Sequence, residues 1–341
     1  MESKRPRRPN RSNRSDDRPH RQSRPRPDER PPKPFAKSFS GPSKHPKQGK
    51  PAKPFNYPKP AKPASAAPAG PQTDWGDVAE WYDQLVGDAG SEYHQKVILP
   101  GVLRLMALAP GEPAIDVACG QGVLCRALAE RGVEVSGVDA AEPLIKAARE
   151  RGPATIRYQV GDARDLNLLP PAHFMAAACV LSIQNIHPVP PVFTGVYRLL
   201  KPGGRFVLVM MHPCFRGPKE TGWGWDPAKG AQYRRVDRYL LPRKTPIITH
   251  PGSAPDEYTW TFHRPLETYV KALRNASLLI DTIEEWPSHK TSEPGPRAAA
   301  ENTARKEIPL FMAIRALKAP TGAASPTPPA TDRATDQAGG T

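Results

Sequence analysis

Residues 114–122 read Ala-Ile-Asp-Val-Ala-Cys-Gly-Gln-Gly, and the fold is decided there. Residues 114–117 suit a short buried strand. A tight turn follows, with glycines at 120 and 122, and residues 123–131 then carry Leu124, Ala127 and Leu128 on one helical face. Glycine lets a backbone approach a ligand closely, and a helix N-terminus offers unpaired N–H groups. Strand, glycine turn and helix together form a nucleotide-binding signature.

The ligand is narrowed by what surrounds the glycines. A dinucleotide site uses Gly-x-Gly-x-x-Gly and seats a pyrophosphate on the helix N-terminus. The turn here, Ala118-Cys119-Gly120-Gln121-Gly122, lacks that spacing. Asp116 at the strand end would repel a pyrophosphate and attract an ammonium group. S-adenosylmethionine (SAM) has that ammonium and no phosphate. The stretch resembles the first motif of the class I SAM-dependent methyltransferases, Asp/Glu-x-Gly-x-Gly-x-Gly, with Ala118 in place of the first glycine. The resemblance implies a cofactor site built from Asp116, Ala118, Cys119, Gly120, Gln121 and Gly122.

Later segments extend the pattern. Residues 133–138 form a second strand ending at Asp139, 23 residues after Asp116, near the spacing of a carboxylate that holds ribose hydroxyls. Residues 156–160 form a third, followed by Gly161-Asp162-Ala163. In the resembled family an acidic residue here meets the adenine amino group and the next N–H serves a ring nitrogen. Ala140, Asp162, Ala163 and Cys179 therefore join the expected cofactor set. Three carboxylates closing three parallel strands would stand on one sheet edge, where α/β folds bind ligands. Residues 174–181 read as a central fourth strand, 192–200 as a helix, Lys201-Pro202-Gly203-Gly204 as a turn and 205–211 as a fifth strand. Residues 278–286 and 308–317 fit two last strands. The expected fold is α/β: a Rossmann-like seven-stranded, mostly parallel sheet with an antiparallel last strand, helices on both faces and an insertion after the fifth strand.

The 341 residues carry a net charge of +15, and it is unevenly placed. Residues 1–73 hold 19 Lys/Arg against 5 Asp/Glu, and the remainder holds 30 against 29. That Pro-rich basic segment cannot bury a core and is expected to be disordered, with non-specific nucleic-acid binding or simple solubilisation as competing roles. The methyltransferase domain is expected over 74–318, with the insertion at 212–263 and a second disordered tail at 319–341. No apolar run approaches the about 18 residues of a membrane helix. Four cysteines without a Cys-x-x-Cys pair suggest reduced thiols in a cytoplasmic protein and no metal site.

Val78, Trp81, Tyr82 and Leu85 recur at helical spacing. In the resembled family helices here often cover the cofactor, so Trp81 and Tyr82 are read as either core or cover. Ser91 suits the N-cap of a second helix, which Pro100-Gly101 is expected to interrupt. The insertion is rich in aromatic residues and is read either as a wall over the acceptor pocket, through Trp223 and Trp225, or as an accessory hairpin. Its first residue, His212, is the one weak catalytic candidate, as a general base or as a structural hydrogen-bond partner; His187 is weaker still. The leading function is methyl transfer to a small organic acceptor. The alternatives are an RNA methyltransferase that holds RNA with the basic tail, and a non-catalytic SAM- or RNA-binding protein.

Overall fold

A computed structural model describes residues 75–250 and 254–319. The expected tails at 1–73 and 319–341 lie, apart from Ala319, outside the described residues. The chain enters through α1 (Ala79–Val86), a π-helical stretch (His94–Ile98) and α2 (Leu99–Met106). Then β1 (Pro113–Val117), α3 (Val123–Ala129), β2 (Glu134–Asp139), α4 (Glu142–Arg151) and β3 (Arg157–Val160) alternate. After β4 (Phe174–Val180), a three-ten turn (Ile183–Asn185) leads to α5 (Pro190–Leu199) and β5 (Leu200–Met211). Two hairpins follow, β6 (Thr221–Asp226) with β7 (Ala231–Val236), and β8 (Arg243–His250) with β9 (Ala254–His263). The chain closes with α6 (Leu266–Asn275), β10 (Leu278–Trp286), α7 (Ala298–Glu307) and β11 (Phe311–Lys318).

Seven strands form one sheet in the order β10-β11-β5-β4-β1-β2-β3. The pairs β1–β2, β2–β3, β1–β4 and β4–β5 are parallel, and β11 runs antiparallel to both β5 and β10. The expected topology is therefore present. The sequence order reverses between β1 and β4, which opens a crevice at the carboxyl ends of those strands. Alternation along the strands sends side chains into two cores. Ile115, Val117, Phe206 and Leu208 pack with Phe193 and Val196 of α5 and Tyr269 and Leu273 of α6. Ala114, Val207 and Val209 pack on the other face with Val102 and Leu105 of α2, Leu124 and Leu128 of α3 and Ile145 of α4. Ala176, Ala177 and Ala178 of the central β4 are fully buried; their small side chains let helices approach from both sides.

Two expectations about helices are corrected. The helical run through 94–106 is continuous across Pro100-Gly101. The wider π turn before Pro100 accommodates its missing N–H. Gly101 serves packing: a Cβ there would lie 2.4 Å from the Trp286 ring. The helix α7 was not expected at all; of its residues only Ala304 is buried, so no apolar stripe marks it. The fifth strand also begins earlier than expected, because Leu200 already pairs with Phe174 before a bulge in the ladder. Among the described residues no helix is long and apolar enough to cross a membrane.

Candidate functional site

The glycine turn is built before any ligand arrives. Ala118 (φ 58), Gly120 (φ 54) and Gly122 (φ 81) all take left-handed backbone conformations. Gly122 caps α3, and a Cβ there would come within 2.3 Å of the Tyr158 hydroxyl. The Gly120 N–H donates to Asp139 Oδ2 at 2.8 Å, and Ala141 N–H donates to Oδ1 at 2.9 Å. Asp139 thus ties the turn to the end of β2, while each oxygen keeps a lone pair for another donor.

These elements frame a cleft of about 390 Å³ at the carboxyl edge of the sheet. Ala118, Gly120, Asp139, Ala140, Asp162 and Ala163 line one end, as the sequence predicted. Trp75 and Tyr82 stand over that end, their rings edge-to-face at 5.5 Å. Tyr82 is therefore cover. Trp81 is not in the lining. Burial first, then the charges of Asp139 and Asp116, raise the Tyr82 phenol well above its ordinary range and keep it neutral. Asp83 clamps α1 to α4 through Arg151, at 2.5 and 2.6 Å, which holds this cover down. The Arg151 contact in turn lowers the Asp83 carboxyl.

Five predicted cofactor residues, Asp116 among them, lie under the lining rather than in it. Gln121 is a buried cross-link: its amide donates to Gly87 O at 2.8 Å and accepts from Arg151 at 2.8 Å. Cys119 directs its sulfur inward, toward Gly137, and its N–H to Val138 O at 3.0 Å. Gly122 shapes the turn from below, and Cys179 is fully buried in the core beside α5 and α6. Burial pushes the Cys179 thiol far up, which leaves it unreactive.

Asp116 is the electrostatic anomaly. It is 3% exposed, and its Oδ1 has no hydrogen-bond partner. Its only side-chain contact is the weak Cys125 thiol donor at 3.8 Å. Burial, followed by the neighbouring Asp139 charge, pushes its carboxyl up to about 8. A cation reaching this position would restore the ionised form. Asp162 is different: burial acts to raise it, but Arg164 outweighs that through contacts at 2.5 and 3.0 Å and holds the carboxyl low. The carboxylate expected to meet adenine is thus already engaged by an arginine two residues on.

The other end of the cleft is walled by residues outside the expected cofactor set, of which the sequence reading weighed only His187 singly, as a possible base. Leu181, Asn185, Ile186 and His187 follow β4, and Lys244, Trp260 and Phe262 come from the β8–β9 hairpin. His187 stacks on Phe262 with centroids 5.1 Å apart. The expected wall is present in half of the insertion only. Trp223 and Trp225, the residues picked for it, sit on β6 against Arg297 and Glu301 of the α7 region, in a separate small groove. Trp260 is the tryptophan at the cleft. The signal lay in Tyr258-Thr-Trp260-Thr-Phe262, whose strict alternation is a strand signature.

His212 is not at the cleft. It is 1% exposed, its Nε2 lies 2.6 Å from Glu285 Oε1, and its Nδ1 accepts the Cys214 N–H at 3.2 Å. Those partners give it the structural role and remove it as a base. Burial lowers its pKa despite the glutamate, so it stays neutral near pH 7.

The methyltransferase domain family matches residues 115–208, from β1 through most of β5. A solved SAM-dependent methyltransferase from Mesorhizobium loti is 27% identical with a TM-score of 0.52, over 64% of this chain and 96% of that one. Residues 115–208 thus match a methyltransferase domain, and the fold around them is similar to that of class I SAM-dependent methyltransferases. The domain is also similar to a ubiquinone biosynthesis O-methyltransferase of Xylella fastidiosa, 37% identical over 28% of this chain and 40% of that protein. A dTDP-3-amino-3,6-dideoxy-alpha-D-glucopyranose N,N-dimethyltransferase of Streptomyces fradiae is 34% identical over 35% of this chain and 46% of its own length. The chain thus spans less than half the length of these two relatives. SAM is the cofactor of such domains, and the residues present fit it. The orphaned Asp116 oxygen suits an ammonium, Asp139 has acceptor capacity for ribose hydroxyls, and Ala140, Leu144 and Ala163 offer apolar faces for a base.

Proposed function

We propose that the chain transfers a methyl group from SAM to a small organic acceptor. One observation carries this reading: the cleft runs without interruption from the Gly120–Asp139 end to an aromatic wall at Trp260 and Phe262. SAM, when bound, supplies a methyl group already activated on a sulfonium. Asp116, Asp139 and the Gly120 backbone hold the cofactor. Tyr82 and Trp75 cover it. The aromatic wall orients the acceptor in line with the methyl and excludes water, which is most of what such a displacement requires.

His187 contributes a hydrogen bond rather than a base. Its Nδ1 faces Arg264 Nη2 at 3.2 Å, and a guanidinium only donates, so the neutral ring carries its proton on Nε2. Burial and then the charges of Arg264, Arg164 and Lys244 hold its pKa below the ordinary value.

The relatives' names speak for small molecules, a ubiquinone precursor pathway and a nucleotide sugar. We take residues 74–318 as the catalytic domain, residues 1–73 as a basic extension dispensable for the chemistry, and the cytoplasm as its location. The free state of all four cysteines supports that location. The test is incubation of the protein with methyl-labelled SAM and cell extract, fractionated into metabolites and RNA. Label in the metabolite fraction is expected. Label confined to RNA would replace this reading with RNA methylation.

A further inference from the structure

Lys244 is a cation with aromatic neighbours and no counter-ion. Its Nζ lies 3.7 Å from the centroid of Trp260 and 5.9 Å from that of Phe262. Among the described residues it makes no ion pair. Register explains the placement: Lys244 pairs with Phe262, and Pro246 with Trp260, so all four side chains share one face of the hairpin. A second cation stands behind that face. Arg264 is buried, lies 5.2 Å from the Phe262 centroid, and gives its guanidinium to neutral acceptors, Ile186 O at 2.5 Å and His187 Nδ1 at 3.2 Å. A third, Arg164, is neutralised by Asp162. The acceptor end of the cleft therefore has one positive charge in its lining, Lys244, and a second behind it, Arg264, neither paired with a carboxylate among the described residues. An aromatic face attracts a cation, which holds Lys244 in place without cancelling its charge.

We propose that the methyl acceptor is a planar organic anion whose negative group is bound by Lys244 and whose ring lies among Trp260, Phe262 and His187. This deepens the methyl-transfer reading above and rests on it. The other features agree. A flat ring slides against aromatic faces, and the Nε2 proton of His187 is available to a second acceptor atom on the ring. An anion at Lys244 meets a charge-assisted donor at the rim, where the lysine remains exposed enough to capture it from solvent.

The probes are 2-naphthoate and its uncharged isostere 2-naphthamide, titrated by calorimetry into the full chain loaded with S-adenosylhomocysteine. The intact protein is expected to bind the carboxylate about tenfold more tightly than the amide. Lys244→Gln is expected to abolish that preference, Lys244→Arg to keep it, and neither to alter the affinity for S-adenosylhomocysteine. Equal affinity for the two probes in the intact protein, no binding of either, or a preference that survives Lys244→Gln would each overturn the proposal. Weaker S-adenosylhomocysteine binding in Lys244→Gln would overturn it too, by giving the lysine to the cofactor's own carboxylate. Failure of the intact protein to bind S-adenosylhomocysteine is a separate result: it removes the methyl-transfer reading, and the acceptor proposal with it.

Discussion

Ala118 stands where the resembled motif has glycine, yet it adopts the conformation a glycine would, at φ 58. Leu181, at the end of the adjacent β4, does the same at φ 54, and both line the cleft. A left-handed non-glycine residue costs about 1–2 kcal/mol, and glycine returns part of that by loosening the unfolded chain. Ala118→Gly should therefore stabilise the fold by up to about 1 kcal/mol in denaturant titration. Asp139→Ala should weaken SAM binding by about 1.5–3 kcal/mol in calorimetry, the scale of a lost charged hydrogen bond. An unaltered affinity in a folded protein would take Asp139 out of the site. Asp116 makes a prediction in pH. Its folded value of about 8 lies above the about 3.9 of an unfolded aspartate, so the fold binds the proton more tightly. Its contribution to stability is complete below about pH 4 and is lost as pH rises through about 8. Without cofactor, Tm should fall between pH 5 and 8.5 more steeply in the intact protein than in Asp116→Asn. SAM binding near pH 7 should also release a proton, read as a dependence of the binding heat on the buffer's ionisation enthalpy. The carboxylates at 116, 139 and 162 were legible in sequence because each closes a strand. That Asp162 turns to Arg164, and that Gln121 faces inward, depends on neighbours no spacing reveals.

At the level of elements, the two hairpins of the insertion divide what composition had merged. Trp260→Ala, on β9, should raise KM for the acceptor several-fold and spare that for SAM. Trp223→Ala, on β6, should leave both within error, since Arg216 and Arg234 hold its ring at 5.1 Å each, away from the cleft. Steady-state kinetics on both variants decides between the hairpins. Aromatic content pointed to the right segment, but only the alternation of 258–262 separates its two halves. In α2, Gly101→Ala should lower stability by about 1–3 kcal/mol, because the added methyl meets Trp286 in a filled core. Pro100-Gly101 was misread as an interruption because the partner that needs a glycine there lies 185 residues away in sequence. The loss of α7 from the sequence reading has the same origin: a helix with one buried residue has almost no periodic signature.

Across the whole chain, the excess positive charge sits in residues 1–73. A chain starting at Asp74 should keep the melting temperature and SAM affinity of the full chain, and lose whatever salt-sensitive RNA retention the full chain has on a gel-shift assay. A fall in SAM affinity on truncation would mean that the basic segment reaches the cleft. The positions of the seven strands along the chain followed from sequence because most apolar runs end in a recognisable turn, and their arrangement in one sheet followed from the family resemblance. The acceptor end did not, because it is assembled from the loop after β4 and a hairpin about 60 residues later, meeting only in three dimensions. The β8–β9 hairpin has two sides with separate duties. Thr245, Thr259, Thr261 and His263 face inward and are buried, and Thr261 reaches Gln184 O at 3.5 Å. Lys244, Trp260 and Phe262 occupy the alternate positions toward the cleft, and Thr259 alone of the inward set also reaches its lining. The cleft side of this ribbon can therefore be re-cut, and with it the appetite of the site, while Thr245, Thr261 and His263 keep its seat.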